Sequence, residues 1–253
     1  MNEAVPVRPA ATVLLVRDGD SGLEVFMVVR HHKIDFASGA LVFPGGSVDA
    51  GDHAIAADPA ICGAATALDQ RDRLSRVAAL RETFEECGVL LARPRGSGEG
   101  SGARVVELGG KSPGRSFSEL IAAENLELAL DALIPFAHWI TPPILPKRFD
   151  TRFYISAAPS DQIAIHDGSE SVDSVWISPA GALKAAEAGT YTIVFATRLN
   201  LQLLAESADV ASALAAARAR RIVTVEPVAV KTATGYTMRI PIEAGYGGEL
   251  FEI

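Results

Sequence analysis

The chain begins with two apolar runs that are rich in β-branched residues. They cover residues 11–17 and 23–29, and the aspartates, glycines and serine between them accept tight-turn conformations. This pattern predicts a β-hairpin. A shorter apolar run at residues 40–43 stops at a Pro-Gly-Gly sequence, residues 44–46, so we predict a third strand that leads into a glycine-rich turn.

A helix is the clearest prediction in the middle of the chain. Residues 52–66 are alanine-rich and irregular, but from about residue 69 the apolar positions recur at helical spacing, and Gly88 lies where glycine commonly ends a helix. We therefore predict a helix over residues 72–87. Residues 93–114 contain glycine- and serine-rich runs, which indicate a mobile surface loop.

The second half of the chain alternates between helix and strand patterns. Ser116 can cap a helix over residues 117–124, and Ser178 followed by proline can begin a helix that ends near residue 187. Interleaved helices and strands indicate an α/β fold with a mixed sheet. The remaining predicted strands cover residues 134–140, 149–157, 172–177, 222–230 and 237–242, and one or two further helices are predicted over residues 198–219.

Composition and charge are those of a globular protein. Of the 253 residues, 49% are apolar and 21% are charged, so the chain can bury a sizeable core. We predict a single domain over residues 1–253, with a C-terminal extension from about residue 198. The 23 basic and 31 acidic residues give a formal charge of -8, and no stretch concentrates the basic residues, which argues against long nucleic acids as partners.

The cysteines and the N-terminus do not have the patterns of an exported protein. Cys62 and Cys87 lack the repeated spacing of a disulfide framework or a zinc site. No stretch reaches the length of apolar sequence that crosses a bilayer, and the first residues lack a signal-peptide pattern. The cytoplasm is therefore the predicted location, without a membrane partner.

The strongest chemical signal lies on the predicted helix. Glu82, Glu85 and Glu86 follow i, i+3, i+4 spacing and share one face, where each pair of like charges costs about a few tenths of a kcal/mol. A divalent cation with oxygen ligands would offset this repulsion. A solvated polar face is the simpler alternative, but the glycine-rich turn upstream permits close approach of a ligand. The opposite helix face is apolar and contains Val77, Leu80, Phe84, Cys87 and Leu91.

Residues 81–89, Arg-Glu-Thr-Phe-Glu-Glu-Cys-Gly-Val, resemble the second half of the box that defines the Nudix hydrolase family. The family has an aliphatic residue at the position of Thr83. The other defined positions of this half of the box match the family residue for residue. In the first half of the box, Gly46 is followed after five residues by Asp52, where the family has glutamate. A stretch of 28 residues (53–80), rather than seven, then leads to Arg81.

This resemblance implies an α/β/α sandwich with a mixed sheet. Residues 53–70 would be an insertion into the box, which costs little closure entropy per added residue. The first glutamate of the family's box orients its arginine. Asp52 would therefore take that role towards Arg81, although aspartate has the shorter side chain.

The resemblance also implies a metal site. Glu85 and Glu86 would be the main ligands, together with a backbone carbonyl group from the glycine turn at Gly46. Glu82 would be a further ligand or the general base. Many relatives carry another acid in a later loop. Glu170 occupies such a place, and it is either that acid or an ordinary turn residue.

Features outside the box resemble the branch of the family that contains peroxisomal-type coenzyme A diphosphatases. Phe36 would contact the substrate. Arg30 and Arg148 can clamp a diphosphate, with surface ion pairs as the alternative. Trp139 is more often a core residue than a platform for a base. The matching features are the long insertion, Phe36, Gly39 and residues 42–46, 138–142 and 148–151.

The sequence therefore predicts a hydrolase that depends on Mg²⁺ or Mn²⁺ and cuts the diphosphate bond of a small nucleoside diphosphate derivative. Coenzyme A or an acyl derivative is the first expected substrate. ADP-ribose, NADH or a damaged nucleotide is the alternative within the same class. A non-catalytic Nudix domain that binds a nucleotide and regulates a partner is a rival, and the intact acids argue against it. The oligomeric state stays open, with a homodimer among the alternatives.

Overall fold

The structure of the protein is a computed structural model that describes residues 5–30, 39–63, 68–97, 116–159, 171–232 and 235–252. The helices are α1 (Ala50–Ala57), α2 (Pro59–Cys62), α3 (Gln70–Cys87), α4 (Phe117–Ala123), α5 (Pro179–Glu187), α6 (Phe195–Leu204) and α7 (Val210–Ala219). The strands are β1 (Val7–Gly19), β2 (Gly22–Arg30), β3 (Leu41–Val42), β4 (Gly45–Ser47), β5 (Ala92–Pro94), β6 (Leu126–Leu128), β7 (Ile134–Ile140), β8 (Arg148–Ala157), β9 (Ser171–Ile177), β10 (Thr224–Val225), β11 (Val228–Lys231), β12 (Tyr236–Arg239) and β13 (Leu250–Glu252).

A large mixed sheet forms the centre of the fold. Its strands lie in the order β10-β7-β8-β1-β2-β3, with β4 paired to β1 and β9 paired to β2. β1 and β8 are parallel, from Val7 opposite Arg148 to Val16 opposite Ala157. β1 and β2 form an antiparallel hairpin, as do β7 and β8. The predicted first hairpin and the predicted mixed sheet are therefore confirmed.

Alternate residues of β1 contribute to two separate cores. Val13 and Leu15 pack in the core that includes residues of α1, α3 and α4, whereas Leu14 and Val16 pack in the core that includes residues of α5, α6 and α7. This division follows from the two-residue period of a β-strand. Helices cover both faces of the sheet, so the arrangement is the expected α/β/α sandwich.

The glycine-rich turn lies beside β1. β3 pairs with β2, and after Pro44 the chain continues as β4 along β1, with Gly46 opposite Ala11. Gly45 has a φ of 155°, and a Cβ atom there would lie 2.4 Å from the carbonyl oxygen of Ala11. Glycine is therefore the residue that fits at this position.

A buried polar network attaches α3 to β8. The hydroxyl of Tyr154 on β8 lies 2.6 Å from Oγ of Ser75 and donates to Oδ1 of Asp72 at 3.0 Å. Arg76 forms an ion pair with Asp72 at 3.0 Å and donates to the carbonyl oxygen of Leu130 at 2.8 Å. Burial raises the pKa of Tyr154 to about 12, so its hydroxyl stays protonated near neutral pH.

The segment before α3 is more regular than predicted. We expected an irregular insertion over residues 53–70, but α1 and α2 occupy much of it. Asp49 and Asp52 form a capping box at the start of α1, and Asp58 caps α2, which has Pro59 at its first turn. These helices are too short to produce a recognisable apolar period, which is why the pattern of the sequence missed them.

The predicted surface loop over residues 93–114 begins later than expected. Its first residues belong to β5, which pairs with β6, a strand that the sequence did not predict. Arg93 is buried and forms ion pairs with Glu127 and Asp131, which hold β5 in place. Residues 98–115 lie outside the described residues, so the loop there stays a prediction.

The C-terminal strands form parts of two sheets rather than one long strand. Pro227 has no N–H group and interrupts the predicted strand over residues 222–230. β10, before it, extends the central sheet beside β7, whereas β11 joins β12 and β13 in a separate three-stranded sheet. β12 also ends earlier than the predicted strand over residues 237–242.

The predicted helices of the second half are present. Ser116 caps α4 in a capping box with Glu119, and Ser178 caps α5. The stretch predicted to contain one or two helices contains α6 and α7, and α6 begins at Phe195. Among the described residues, no helix is both long enough and apolar enough to cross a membrane.

Replacing Tyr154 with phenylalanine should lower the free energy of unfolding by about 1–3 kcal/mol, because Ser75 and Asp72 lose a buried hydrogen-bond partner while the ring stays in place. Urea unfolding followed by circular dichroism measures the change. Tyr236→Phe is the control, since Tyr236 is 55% exposed, and it should change stability by less than about 0.5 kcal/mol. Equal effects in the two variants would contradict the role of the network.

Candidate active site

The acid face of α3 meets the glycine turn. Glu86 is only 5% exposed, and its Oε2 accepts a hydrogen bond from the N–H of Gly45 at 2.9 Å. Gly46 lies against Glu82, because a Cβ atom at Gly46 would be 2.4 Å from Cδ of Glu82. The two strongest signals in the sequence, the glutamate helix and the glycine turn, are therefore in contact in the structure.

Arg81 connects the residues of this site. Its Nε and Nη2 donate to the two carboxylate oxygens of Asp52 at 2.8 and 2.9 Å, and Nη2 also donates to the carbonyl oxygen of Ser47 at 3.0 Å. Nη1 donates to Oε1 of Glu82 and to Oε2 of Glu85, both at 2.9 Å. Asp52 is completely buried on α1. The predicted pairing of Asp52 with Arg81 is therefore present, despite the shorter side chain.

The neighbours of Arg81 keep it charged. Burial alone would lower the pKa of the guanidinium, but the hydrogen bonds to Asp52 and the charges of Asp52, Glu82 and Glu85 outweigh burial and raise this pKa above its ordinary value. A group with such a pKa does not exchange a proton near neutral pH. Arg81 is therefore suited to position carboxylates rather than to act as an acid or base.

The three glutamates of α3 do not converge on one point. Glu82 and Glu85 share Arg81, and Glu82 also lies against Gly46, whereas Glu86 accepts a hydrogen bond from Gly45. In the described parts of the chain, no group of three or more histidine, cysteine, aspartate or glutamate residues is arranged to hold a metal ion. The metal roles of these glutamates and of Gly46 stay predictions.

The chemistry of these donors nevertheless fits a hard divalent cation. The carboxylates of Glu82 and Glu85 both lie 2.9 Å from the same nitrogen of Arg81, so they are already close together. Carboxylate oxygens are the ligands that Mg²⁺ and similar cations prefer. The three glutamates with a single arginine also leave an excess of negative charge, which such a cation would reduce.

Thr83, the one departure from the second half of the box, fits its position. It is completely buried, and its hydroxyl donates to the carbonyl oxygen of Ala79 at 2.7 Å. This bond within the helix satisfies the hydroxyl, so threonine replaces an aliphatic residue without leaving a buried polar atom unpaired. The predicted apolar face of α3 is also buried through Val77, Leu80, Phe84 and Cys87. Leu91, which we expected on the same face, is buried but lies beyond the end of α3 at Cys87.

A cleft of about 540 Å³ opens at this site and has two chemically different ends. One end is polar and is formed by the glycine turn with Arg81, Glu82 and Glu85. The other end is lined by large apolar side chains, among them Trp139, Leu145, Phe149, Phe195 and Met238. A ligand that fills the cleft would therefore need both a charged part and an apolar part.

Arg148, a further predicted site residue, does not line this cleft. Arg148 donates to a backbone carbonyl group just after β7 at 2.9 Å and forms an ion pair with Glu226 at 2.6 Å, and it is not among the residues that line the cleft. The structure therefore favours the ion-pair alternative for Arg148. Phe36, Glu170 and the side chain of Arg30 lie outside the described residues, so their roles stay predictions.

Most residues of the apolar end of the cleft carry no signal in the sequence. Phe195 begins α6, Pro227 lies between β10 and β11, and Met238 lies on β12. These are single apolar residues, far from the glutamate helix in sequence, and no motif marks them. Trp139, which we expected in the core, is only 4% exposed but also lines the cleft.

A comparison with protein families identifies the family of the chain. The family model described as the NUDT19 Nudix domain matches residues 64–194, which is 131 of the 253 residues. The chain belongs to the NUDT19 Nudix domain family. The Nudix helix α3 lies inside the matched region, whereas the glycine turn precedes it and the chain from Phe195 onwards follows it.

Individual relatives agree with this Nudix assignment. The chain is 28% identical to a putative nudix hydrolase 7 of Caenorhabditis elegans over 191 residues, which cover 74% of the chain and 56% of that protein. It is 24% identical to the acyl-coenzyme A diphosphatase NUDT19 of Xenopus laevis over 212 residues, which cover 66% of the chain and 56% of that protein. The chain thus spans about half the length of these curated relatives.

A solved structure supports the Nudix fold independently. The crystal structure of a NUDIX hydrolase from Alicyclobacillus acidocaldarius is 29% identical and superposes with a TM-score of 0.70. The match covers 83% of this chain and 96% of that one. The predicted fold class, an α/β Nudix sandwich with a mixed sheet, is therefore confirmed.

Replacing Asp52 with asparagine should lower the free energy of unfolding by about 2–4 kcal/mol, because the buried guanidinium of Arg81 loses its main charged partner. Asp49→Asn is a matched control. The Asp49 side chain is 56% exposed and its Oδ2 lies 3.8 Å from Nε of Arg81, and asparagine caps a helix about as well as aspartate. Denaturant unfolding should show a loss below about 1 kcal/mol for the control. A similar loss in both variants would contradict the central role of the buried pair.

Proposed function

We propose that this chain hydrolyses the diphosphate bond of coenzyme A or of an acyl-coenzyme A, in a reaction that depends on Mg²⁺ or Mn²⁺. The observation that carries the proposal is the combination of the acid face of α3 with an apolar wall in one cleft. Coenzyme A joins a nucleotide diphosphate to a long arm with less charge. An acyl derivative extends that arm with an apolar chain, so such a substrate matches both ends of the cleft.

The residues of the Nudix helix would have different roles in the reaction. Glu85 and Glu86 with the carbonyl group of Gly46 would hold the cation, which when bound neutralises the diphosphate and activates water, and Glu82 would be a further ligand or the general base. Glu82 lines the cleft and can accept a proton from the attacking water. Arg81 holds Glu82 and Glu85 in place through its two hydrogen bonds at 2.9 Å.

The proposed reaction is a simple hydrolysis. The oxygen of water forms a bond to one phosphorus, and the bond between that phosphorus and the bridging oxygen breaks. The proton lost by the water passes to a carboxylate at the polar end of the cleft. Coenzyme A would yield phosphopantetheine and adenosine bisphosphate, with no covalent intermediate on the protein.

Three further points support this proposal. The Xenopus relative is named an acyl-coenzyme A diphosphatase. ADP-ribose and NADH, the alternatives within the class, carry polar sugars on both sides of the diphosphate, so the apolar end of the cleft would lack a matching group. The acids that a non-catalytic regulator would be expected to lose, Glu85 and Glu86, are present.

We also propose that residues 1–253 form one domain, since α5, α6 and α7 pack on the same central sheet as α3.

Glu85→Gln and Glu86→Gln should each reduce kcat/KM by at least about 100-fold, or about 2.7 kcal/mol, because each variant removes a charged metal ligand. Initial rates of diphosphate hydrolysis with Mg²⁺ or Mn²⁺ measure the loss, and circular dichroism checks the fold. Glu187→Gln, an exposed change on α5, is the control and should leave the rate unchanged. A loss of less than about tenfold in both site variants would exclude these carboxylates as the main ligands.

The substrate assignment predicts faster hydrolysis of coenzyme A and acetyl-coenzyme A than of ADP-ribose or NADH. Products identified by mass after incubation with Mg²⁺ or Mn²⁺, each compared with a reaction that contains EDTA, would test it. EDTA should abolish the activity. A clear preference for ADP-ribose or NADH would reject the coenzyme A assignment but keep the reaction type. No hydrolysis of any diphosphate by the folded protein would favour the non-catalytic alternative.

A further inference from the structure

We infer that the chain after residue 194 supplies the wall that binds the acyl chain of the substrate, so that the enzyme prefers acyl-coenzyme A to free coenzyme A. This inference rests on the proposed function and assigns a role to the C-terminal part of the chain. The family model ends at residue 194. The cleft nevertheless continues onto residues beyond that point, namely Phe195, Ala196, Thr197, Pro227 and Met238.

Charge is confined to one end of the cleft. Among the described residues that line it, the charged side chains are those of Arg81, Glu82 and Glu85, and all three lie on α3 at the polar end. The side chains that the C-terminal part of the chain contributes to the wall therefore carry no charge that could pair with a phosphate. Each methylene that an acyl chain buries against such a wall increases affinity by about fourfold.

Aromatic packing fixes the shape of this wall. The ring of Phe195 meets the ring of Trp139 edge to face, with centroids 5.8 Å apart, and lies 6.0 Å from the ring of Phe251. Met238 is only 8% exposed and lines the cleft beside them. Because these residues belong to β7, α6, β12 and β13, the wall forms only when the C-terminal part of the chain docks on the central sheet.

Trp139 forms a hydrogen bond to Tyr246 inside the protein. The indole Nε1 donates to the hydroxyl of Tyr246 at 3.0 Å, and this hydroxyl donates to Oδ1 of Asn200 at 2.7 Å. Asn200 is completely buried on α6. The polar atom of Trp139 is therefore satisfied within the protein, which leaves the apolar surface of its ring for the cleft.

The first test measures binding without turnover. Calorimetry with Ca²⁺ in place of Mg²⁺ or Mn²⁺, which keeps a cation with oxygen ligands beside the diphosphate, compares coenzyme A with octanoyl-coenzyme A for the wild-type protein and for Phe195→Ala, Met238→Ala and Leu250→Ala. The wild-type protein should bind octanoyl-coenzyme A at least about tenfold more tightly than coenzyme A. Phe195→Ala and Met238→Ala should reduce this ratio to about threefold or less. Leu250, which is 57% exposed, is the matched control, and its variant should keep the wild-type ratio.

A second variant at Phe195 allows the test even if the alanine variant does not fold. Phe195→Leu keeps an apolar side chain at the wall and should retain most of the preference, even if Phe195→Ala is too unstable to purify. Equal affinity of the wild-type protein for the two ligands, or an unchanged ratio in Phe195→Ala and Met238→Ala, would overturn the inference.

Rates of hydrolysis distinguish a failure of this inference from a failure of the proposed function. Equal kcat/KM for coenzyme A and octanoyl-coenzyme A, together with equal affinity, would agree with the proposed function. It would exclude the role of the wall in binding the acyl chain. Tighter binding of octanoyl-coenzyme A without any hydrolysis would support the role of the wall in binding the acyl chain and would contradict the proposed function.

Discussion

The buried ion pair between Arg81 and Asp52 is the interaction on which the site depends. Two hydrogen bonds, at 2.8 and 2.9 Å, join α1 to α3 and leave Nη1 of Arg81 free to hold Glu82 and Glu85. Burying both charges is costly, and the same pair replaced by apolar residues could be equally stable. What the pair contributes is position, because it fixes the Nudix carboxylates relative to the glycine turn.

The central sheet explains why this pair forms beside a cleft. β1 pairs with β8 along one edge and with β2 and then β4 along the other, so the glycine turn lies close to the middle of the sheet. α3 lies over β1 and β4 on one face. α6 belongs to the opposite core, yet its first residue, Phe195, reaches the same cleft. The cleft therefore combines charged side chains of α3 with apolar side chains from the opposite core, such as Trp139 and Phe195.

Sequence patterns predicted the elements whose signals are local. The hairpin of β1 and β2, the helix that carries Glu82, Glu85 and Glu86, and the capped helices after Ser116 and Ser178 all appear where expected, because turns, caps and periodic faces depend on residues that are close in the chain. Local patterns did not predict α1, α2, β5 and β6. Those elements are short, and contacts made by distant residues hold β5 and β6 in place, such as the ion pairs of buried Arg93.

The sequence by itself determined the Nudix helix, the spacing of its acids and the glycine turn, and with them the family. Only the tertiary structure decided the partners of those residues: Arg81 between Asp52 and two glutamates, Glu86 against the turn, and Phe195 in the wall of the cleft. The reason is physical. The spacing of residues along a helix follows from backbone geometry, whereas contacts between segments distant in sequence depend on how whole elements pack, and no local pattern encodes that packing.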